Sequence, residues 1–245
     1  GHFSDKGPFS IPETISAIIP TLNEARSVGG CLAALQGHSR IIEVIVADGG
    51  STDGTPDAAR AQGAQVIRAE PGRGLQVRAA AETARGDVLL ILHADAVLDR
   101  EAPERLIRAL AADQSAPGGC FGMRFADASL KRRLIAGLNN LKAFSTGIAF
   151  GDQAQFVRAA ALREVEGFPG MMLMEDVELS LRLKRMGRPV YLRRGVTVSS
   201  RRWQEGSFLK NIGLVVGLFL RYLLERRLGQ VKDGSYYQKY YGTKI

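Results

Sequence analysis

Four short stretches of this 245-residue chain carry more polar and acidic side chains than a scaffold needs. Pro20-Thr21-Leu22-Asn23-Glu24, Asp48-Gly49-Gly50-Ser51-Thr52-Asp53-Gly54-Thr55 and His93-Ala94-Asp95 each follow an apolar run, and Glu175-Asp176 opens a helical pattern. In the second stretch, Ser51 or Asp53 suffices to cap the next helix. That leaves Asp48 without a capping duty, and an aspartate there can accept a hydrogen bond from a nucleobase N–H while the glycines let a ring approach the backbone. His93 and Asp95 stand at i and i+2, on one side of an extended segment, so one divalent cation could bind both. Oxygen-rich sites suit Mg2+ or Mn2+, and such an ion neutralises the charge that develops as a diphosphate departs. A solvated strand end is the bland alternative. Glu175 and Asp176 either complement a helix dipole or supply a general base that takes the proton of an attacking hydroxyl. Gly167 to Met174, rich in Gly and Met, is then expected to be a mobile approach loop.

These residues need a scaffold that brings strand ends together. Ile15 to Ile19, Ile42 to Ala47, Ala64 to Arg68 and Val88 to Leu92 are continuous apolar runs of the kind found in parallel strands buried on both faces. Ala25 to Gln36, Thr55 to Gln62 and Leu75 to Ala84 between them read as helices of about three turns, giving βαβαβαβ. Ligands of such sheets lie beyond the carboxyl ends of the strands, where the acidic clusters fall. Further on, the sequence predicts a helix over Pro103 to Ala112, a strand from Gly118 to Phe125, and a basic helix capped by Ser129 and running toward Phe144. Gly147 to Val157 is expected as a loop entering a strand, Glu175 to Met186 as a helix, and Val190 to Leu192 and Val196 to Ser199 as two short strands.

In order and spacing, the four stretches resemble the family 2 glycosyltransferases, over roughly Ile15 to Arg194. The resemblance implies the GT-A fold: a mostly parallel, Rossmann-like α/β sheet flanked by helices. The implied activity is hexosyl transfer from a nucleotide diphosphate sugar, UDP- or GDP-linked, to an acceptor hydroxyl, with inversion and with Mg2+ or Mn2+. By that pattern Pro20, Thr21, Asn23, Glu24, Asp48 and Gly50 bind the nucleoside, Arg78 lies near the base, and Ala94 belongs to the donor site. Asp95 and His93 hold the metal, and Asp176, with Glu175 beside it, is the base. Arg73 lies at the start of the third helix, where phosphate is favoured. Arg202 and Trp203, in Ser199-Ser200-Arg201-Arg202-Trp203, resemble imperfectly an element of processive members and flank the acceptor or the leaving diphosphate. Two departures stand out: Gly49 where many members have a second acidic residue, and His93 where many have Asp. The set is similar to a bacterial branch of small family 2 proteins, some linked to arsenosugar biosynthesis.

Composition narrows the rest. With 45% hydrophobic and 24% charged residues the chain can build a sizeable core, which excludes general disorder. Two cysteines give neither a disulfide framework nor a cysteine zinc site, and point to a reducing, cytoplasmic setting. Through Gly122 there are 11 basic and 15 acidic residues; beyond it there are 22 and 10. The basic half lacks the interleaved aromatics of a nucleic-acid binder. No glycine follows the first strand as a dinucleotide-binding oxidoreductase requires, and no Gly-, Arg- and Lys-containing loop follows it as a sugar-phosphate nucleotidyltransferase requires. A non-catalytic nucleotide-sugar binder stays open as the alternative.

Residues 1–13, without a secretory pattern, are expected to be a flexible lead-in or cloning remnant, 14–200 the glycosyltransferase domain, and 201–245 a helical extension. Phe208 to Leu228 reads as one helix whose apolar run, Ile212 to Leu220, is too short to span a bilayer and too apolar to stand in water. It must pack on the sheet domain, on a second subunit, or on a membrane surface at the inner face, where a lipid-linked acceptor would lie beside Asp176.

Overall fold

The computed structural model describes residues 7–127, 129–199 and 208–231. Strands β1 (Ile15–Thr21), β2 (Ile41–Asp48), β3 (Gln65–Arg68) and β4 (Val88–Ile91) run parallel, joined by helices α1 (Val28–Ala33), α2 (Thr55–Ala61) and α3 (Arg73–Thr83). After β5 (Ala96–Leu98) and α4 (Ala102–Ala112) come β6 (Gly118–Phe125), α5 (Leu130–Thr146), β7 (Gln155–Arg158), α6 (Ala159–Glu164), α7 (Glu175–Leu183), β8 (Val190–Val198) and α8 (Phe208–Arg227). All eight strands form one sheet in the order β3-β2-β1-β4-β7-β6-β8-β5. β7 is antiparallel to both β4 and β6, which ends the parallel half.

Alternation along the central strands feeds two cores. Ile15, Ala17 and Ile19 of β1 face a cluster that includes Val28 and Leu32 of α1 and Leu106 of α4. Ile18, with Leu89 and Ile91 of β4, faces Val77 and Ala80 of α3 and Leu179 and Leu183 of α7. β1 and β4 are buried throughout, as expected. β3 is the edge strand and stays half open, and β2 is buried only from Ile45 on, so burial on both faces holds for the centre of the sheet alone.

Other expectations are corrected. The first helix keeps six residues of the twelve expected, with turns at either end, because Gly29 and Gly30 weaken its middle. The two strands expected over 190–199 are one, β8, bent at a bulge opposite Phe121. Arg194 has φ 61° there, and Gly195 has φ 152° with Phe121 Cδ1 only 2.2 Å from where a Cβ would sit. β5 and α6 were not foreseen. The described part of the lead-in is not loose: Phe9 is buried, its N–H donates to the Gln114 carbonyl, and Arg158 stacks on its ring while donating to the Ser10 carbonyl.

α8 docks on α7 and on the loop before it. Leu218 and Tyr222 join Ile148, Leu173, Met174 and Val177 in a third cluster. At its centre Glu178 accepts hydrogen bonds from the Tyr222 hydroxyl (2.5 Å), Arg226 Nε (2.5 Å) and Arg182 Nε (3.0 Å). Burial pushes the Glu178 carboxyl upward, but the bonds from Arg226, Tyr222 and Arg182 overcome it and hold the pKa at about 2.

Candidate active site

The loops after β1 and β2 are stitched to each other. Asn23, in the left-handed region at φ 56°, donates its N–H to Ser51 Oγ (2.8 Å) and accepts the Thr52 N–H at its own Oδ1 (2.9 Å). Glu24 N–H donates to Thr55 Oγ1 (2.9 Å). Pro20 and Thr21 are buried at the end of β1. Asp48 does not cap the next helix, as expected, but it does shape the turn: its carboxylate accepts the N–H groups of Gly50 and Ser51 and the hydroxyls of Ser51 and Thr21. Gln76 of α3 closes the floor by donating its amide to the carbonyls of Thr21 (2.7 Å) and Ala47 (2.8 Å). The same amide lies 3.2 Å from where a Cβ on Gly49 would sit, so an acidic side chain there would press on Gln76. Here is a physical reason for the first departure from the family pattern.

Asp176 is positioned from three directions. It is the second residue of α7, and its Oδ2 accepts the Gly151 N–H at 2.6 Å while Oδ1 accepts the N–H of Val177 at 2.7 Å. Gln155 of β7 donates to the Asp176 carbonyl (3.0 Å) and to Ser180 Oγ (2.8 Å), which fixes the first turn of the helix to the sheet. Glu175, beside it, is buried in an ion pair with Arg73 Nε at 3.0 Å. Arg73 also brings its Nη1 to 3.3 Å from His93 Nε2, and His93 Nδ1 lies 3.2 Å from Asp152 Oδ1. A guanidinium only donates, so Nε2 is the acceptor and the imidazole proton sits on Nδ1, facing Asp152. Gly151 admits this packing: a Cβ on it would fall 2.3 Å from His93 Nε2.

These groups form the polar end of a cavity of about 310 Å3. Arg73, His93, Gly151, Asp152 and Asp176 line that end; α5 and α8 supply mostly apolar walls. Lys142 of α5 brings a buried Nζ to the cavity wall, a feature its place on a basic helix does not announce. Its Nζ lies 2.9 Å from the Phe150 ring centre and makes no hydrogen bond among the described residues. Burial pushes its pKa down to about 7, against the pull of Asp176, Cys120 and Asp152. The usable signal was the i, i+4, i+7 spacing of Ile135, Asn139 and Lys142, which puts them on one helical face.

Not every expected residue converges. Arg78 is half exposed on α3, pairs with Glu82 at 3.7 Å, and lies against Gly170. The Gly167 to Met174 segment, expected to be mobile, is anchored: Phe168 and Leu173 are buried, and Met171 O accepts the Gly74 N–H at 2.9 Å. Asp95 follows β4 as expected, half buried, and its carboxylate makes no hydrogen bond to another described residue. Ala94 beside it is core. No three His, Cys, Asp or Glu side chains cluster as a ready ligand set among the described residues. Arg202 and Trp203 lie outside the described residues.

Comparison with known proteins gives the family and the fold. The chain is 38% identical over 102 residues to the low-salt glycan biosynthesis hexosyltransferase of Haloferax volcanii, a match covering 40% of this chain and 24% of that protein. An uncharacterized glycosyltransferase of Mycobacterium tuberculosis is 31% identical over 99 residues, 40% of this chain and 44% of its own. The chain thus spans less than half the length of these relatives. Among solved structures, the mannosyltransferase PcManGT of Pyrobaculum calidifontis, in complex with GDP-Man and Mn2+, superposes with a TM-score of 0.67 at 20% identity, covering 97% of this chain and 70% of that one. TarS of S. aureus, in complex with UDP-GlcNAc, gives 0.61 at 18% identity over 93% and 70%. These likenesses carry the fold, which is the GT-A fold. The profile of glycosyl transferase family 2 matches residues 16–161, and the chain belongs to that family.

Proposed function

We propose that this protein is a glycosyltransferase that moves a hexose from a UDP- or GDP-linked donor to an acceptor hydroxyl with inversion. The observation that carries the reading is Asp176, a buried carboxylate aimed into the cavity and held by the Gly151 and Val177 amides, with the cations of Arg73 and Lys142 beside it. As the acceptor oxygen attacks the anomeric carbon, Asp176 takes its proton; the bond from that carbon to the diphosphate breaks, and the nucleoside diphosphate leaves with the electron pair. Arg73 stands at the first turn of α3, where helix amides and guanidinium both favour a diphosphate. Glu175 is a positioning residue here, since it holds Arg73.

Pro20, Thr21, Asn23, Glu24, Asp48 and Gly50 form the nucleoside end in this reading, with Arg78, Arg202 and Trp203 at its margins. The solved relatives named above hold GDP-Man with Mn2+ and UDP-GlcNAc, which supports donors of that class. A divalent metal fits Asp95, whose carboxylate is uncommitted among the described residues: one or two carboxylates plus substrate phosphates are the usual protein share of a Mg2+ site. When bound, Mg2+ or Mn2+ would neutralise charge on the diphosphate. His93 joins it only if Arg73 gives up Nε2, since the two cations compete for one lone pair. We place the reaction in the cytoplasm, where the buried thiols of Cys31 and Cys120 stay reduced.

The test is donor turnover. Incubation with UDP- and GDP-sugars and Mn2+ is expected to release nucleoside diphosphate slowly to water, and Asp176→Asn to lower that release while nucleoside diphosphate binding survives. Binding without any release, in wild type and variant alike, would make the protein a nucleotide-sugar binder instead.

A further inference from the structure

Two helices turn apolar side chains to the outside. On α5, Leu130, Leu134, Leu138, Leu141 and Phe144 are each more than half exposed. At 3.6 residues per turn they share an arc of about 120°, with exposed Lys131 and Arg133 at its two borders. On α8, Leu218 and Tyr222 are buried on one face, while Val216, Leu220 and Leu224 line the other at a spacing of four, continued by Leu228 just past its end. Arg227 lies in that second stripe, also exposed. Scattered exposed leucines are ordinary; two adjoining stripes of them are not.

The stripes meet at the cavity. Leu138 and Val216 belong to both, each exposed on its helix and each part of the cavity wall. With both exposed, the cavity opens between the two apolar faces, and Lys142 and Asp176 also line it.

What covers these faces is decided by charge. The cations exposed beside these faces are Lys131, Arg133 and Arg227; α5 has no acid, and the single acid of α8, Glu225, pairs with Arg221 at 2.6 Å, while Arg226 is held by Glu178 and Lys142 is turned inward over Phe150. A second copy docked face to face would set Lys131, Arg133 and Arg227 against their own kind. An anionic lipid surface complements them, with the apolar arc entering the acyl boundary and the long basic side chains reaching the headgroups. No described helix is long and apolar enough to cross a membrane, so the contact is with the surface.

We propose that α5 and α8 seat this protein on an anionic membrane surface with the cavity mouth against the lipid, so that the acceptor is an amphiphile whose polar head enters between Leu138 and Val216. The seating stands on the helices alone; the acceptor half rests on the glycosyltransferase reading. Within that reading, the head reaches Asp176 while the chain stays between α5 and α8.

Flotation with phosphatidylcholine vesicles, with and without phosphatidylglycerol, tests the seating at low and high salt. Wild type is expected to float with the anionic vesicles at low salt and to release as salt rises. The Leu134→Glu/Leu220→Glu double variant, altered at exposed positions outside the cavity, is expected to float roughly tenfold less with an unchanged melting temperature. Its slow donor hydrolysis should also be unchanged, so a failure of the enzyme reading shows there and not in flotation. Wild type that stays at the bottom overturns the proposal. So does a lipid-free dimer that the same two substitutions dissociate, since the stripes would then be an interface between copies. For the acceptor half, dodecyl phosphate is expected to raise the melting temperature of wild type more than an equal concentration of inorganic phosphate does; an equal shift, or none, removes it.

Discussion

The hydroxyl of Tyr222 lies 2.5 Å from Glu178 Oε2, a bond between α8 and α7 that spans 44 residues of sequence. It is the centre of a charged cluster that fastens α8 to α7, with Arg226 and Arg182 completing it. Tyr222→Phe is expected to lower stability by about 1–3 kcal/mol, the range for a hydrogen bond to a charged group. Glu178→Ala, which strands Arg226 and Tyr222 together, is expected to cost more. Urea unfolding of the three proteins checks the order.

The same carboxylate sets a pH dependence. Its pKa in the folded protein is held near 2, below the value in the unfolded chain, so its contribution is fully present above the ordinary carboxylate range and is lost as pH falls toward about 2. The stability difference between wild type and Glu178→Gln is expected to be flat near neutrality and to shrink with acid. A difference that stays constant down to pH about 2 contradicts the assignment.

Lys142 works with the opposite sign. Burial lowers its pKa to about 7, so between there and the ordinary lysine value the unfolded chain binds a proton that the folded one has lost. Stability from this group therefore rises with pH over that interval. Lys142→Met is expected to flatten the rise, read by denaturant titrations at neutral and alkaline pH. If the cation meets an anionic group of a substrate, the variant also raises KM more than it lowers kcat.

Gly151→Ala tests the packing around the proposed base. The added methyl would meet His93 Nε2 at 2.3 Å and Asp176 Oδ2 at 3.4 Å. A cost of about 1–3 kcal/mol in stability is expected, as for other overpacked sites. Turnover should fall together with that of Asp176→Asn, whose loss is put at roughly 10² to 10⁴, the usual yield of a general base.

Asp95→Ala is expected to abolish the metal dependence of nucleoside diphosphate binding. Calorimetry with and without EDTA reads this directly. Wild-type binding that is indifferent to EDTA would remove the metal from the scheme, and with it the role of Asp95.

Much of this molecule is legible in one dimension. The four parallel strands follow from unbroken runs such as Val88 to Leu92, because a strand covered on both faces needs no polar alternation. The polar stretches at their ends follow from the rule that ligands meet such a sheet at its carboxyl edge. Ser129 caps α5 as its chemistry requires, accepting the Arg132 N–H. Local signals of this kind depend on neighbours in sequence, so the sequence contains them whole.

Contacts across long sequence separations are where reading stopped. Arg193-Arg194-Gly195 looks like a break between strands and is a bulge inside one, since only the neighbouring Phe121 shows why Gly195 bends there. Asp48 is held by its near neighbours Gly50 and Ser51, and its bond from Thr21, 27 residues earlier, shows only in the folded chain. Lys142 looks like one more charge on a basic helix, yet the helix is rotated so that its Nζ lies over Phe150 while Leu138 is exposed. The sequence by itself determined the four parallel strands, the acidic stretches and the existence of helices α5 and α8. Only the tertiary structure decided which side of each helix meets the protein, because a helical period states that two faces differ and leaves their partners to be chosen by packing.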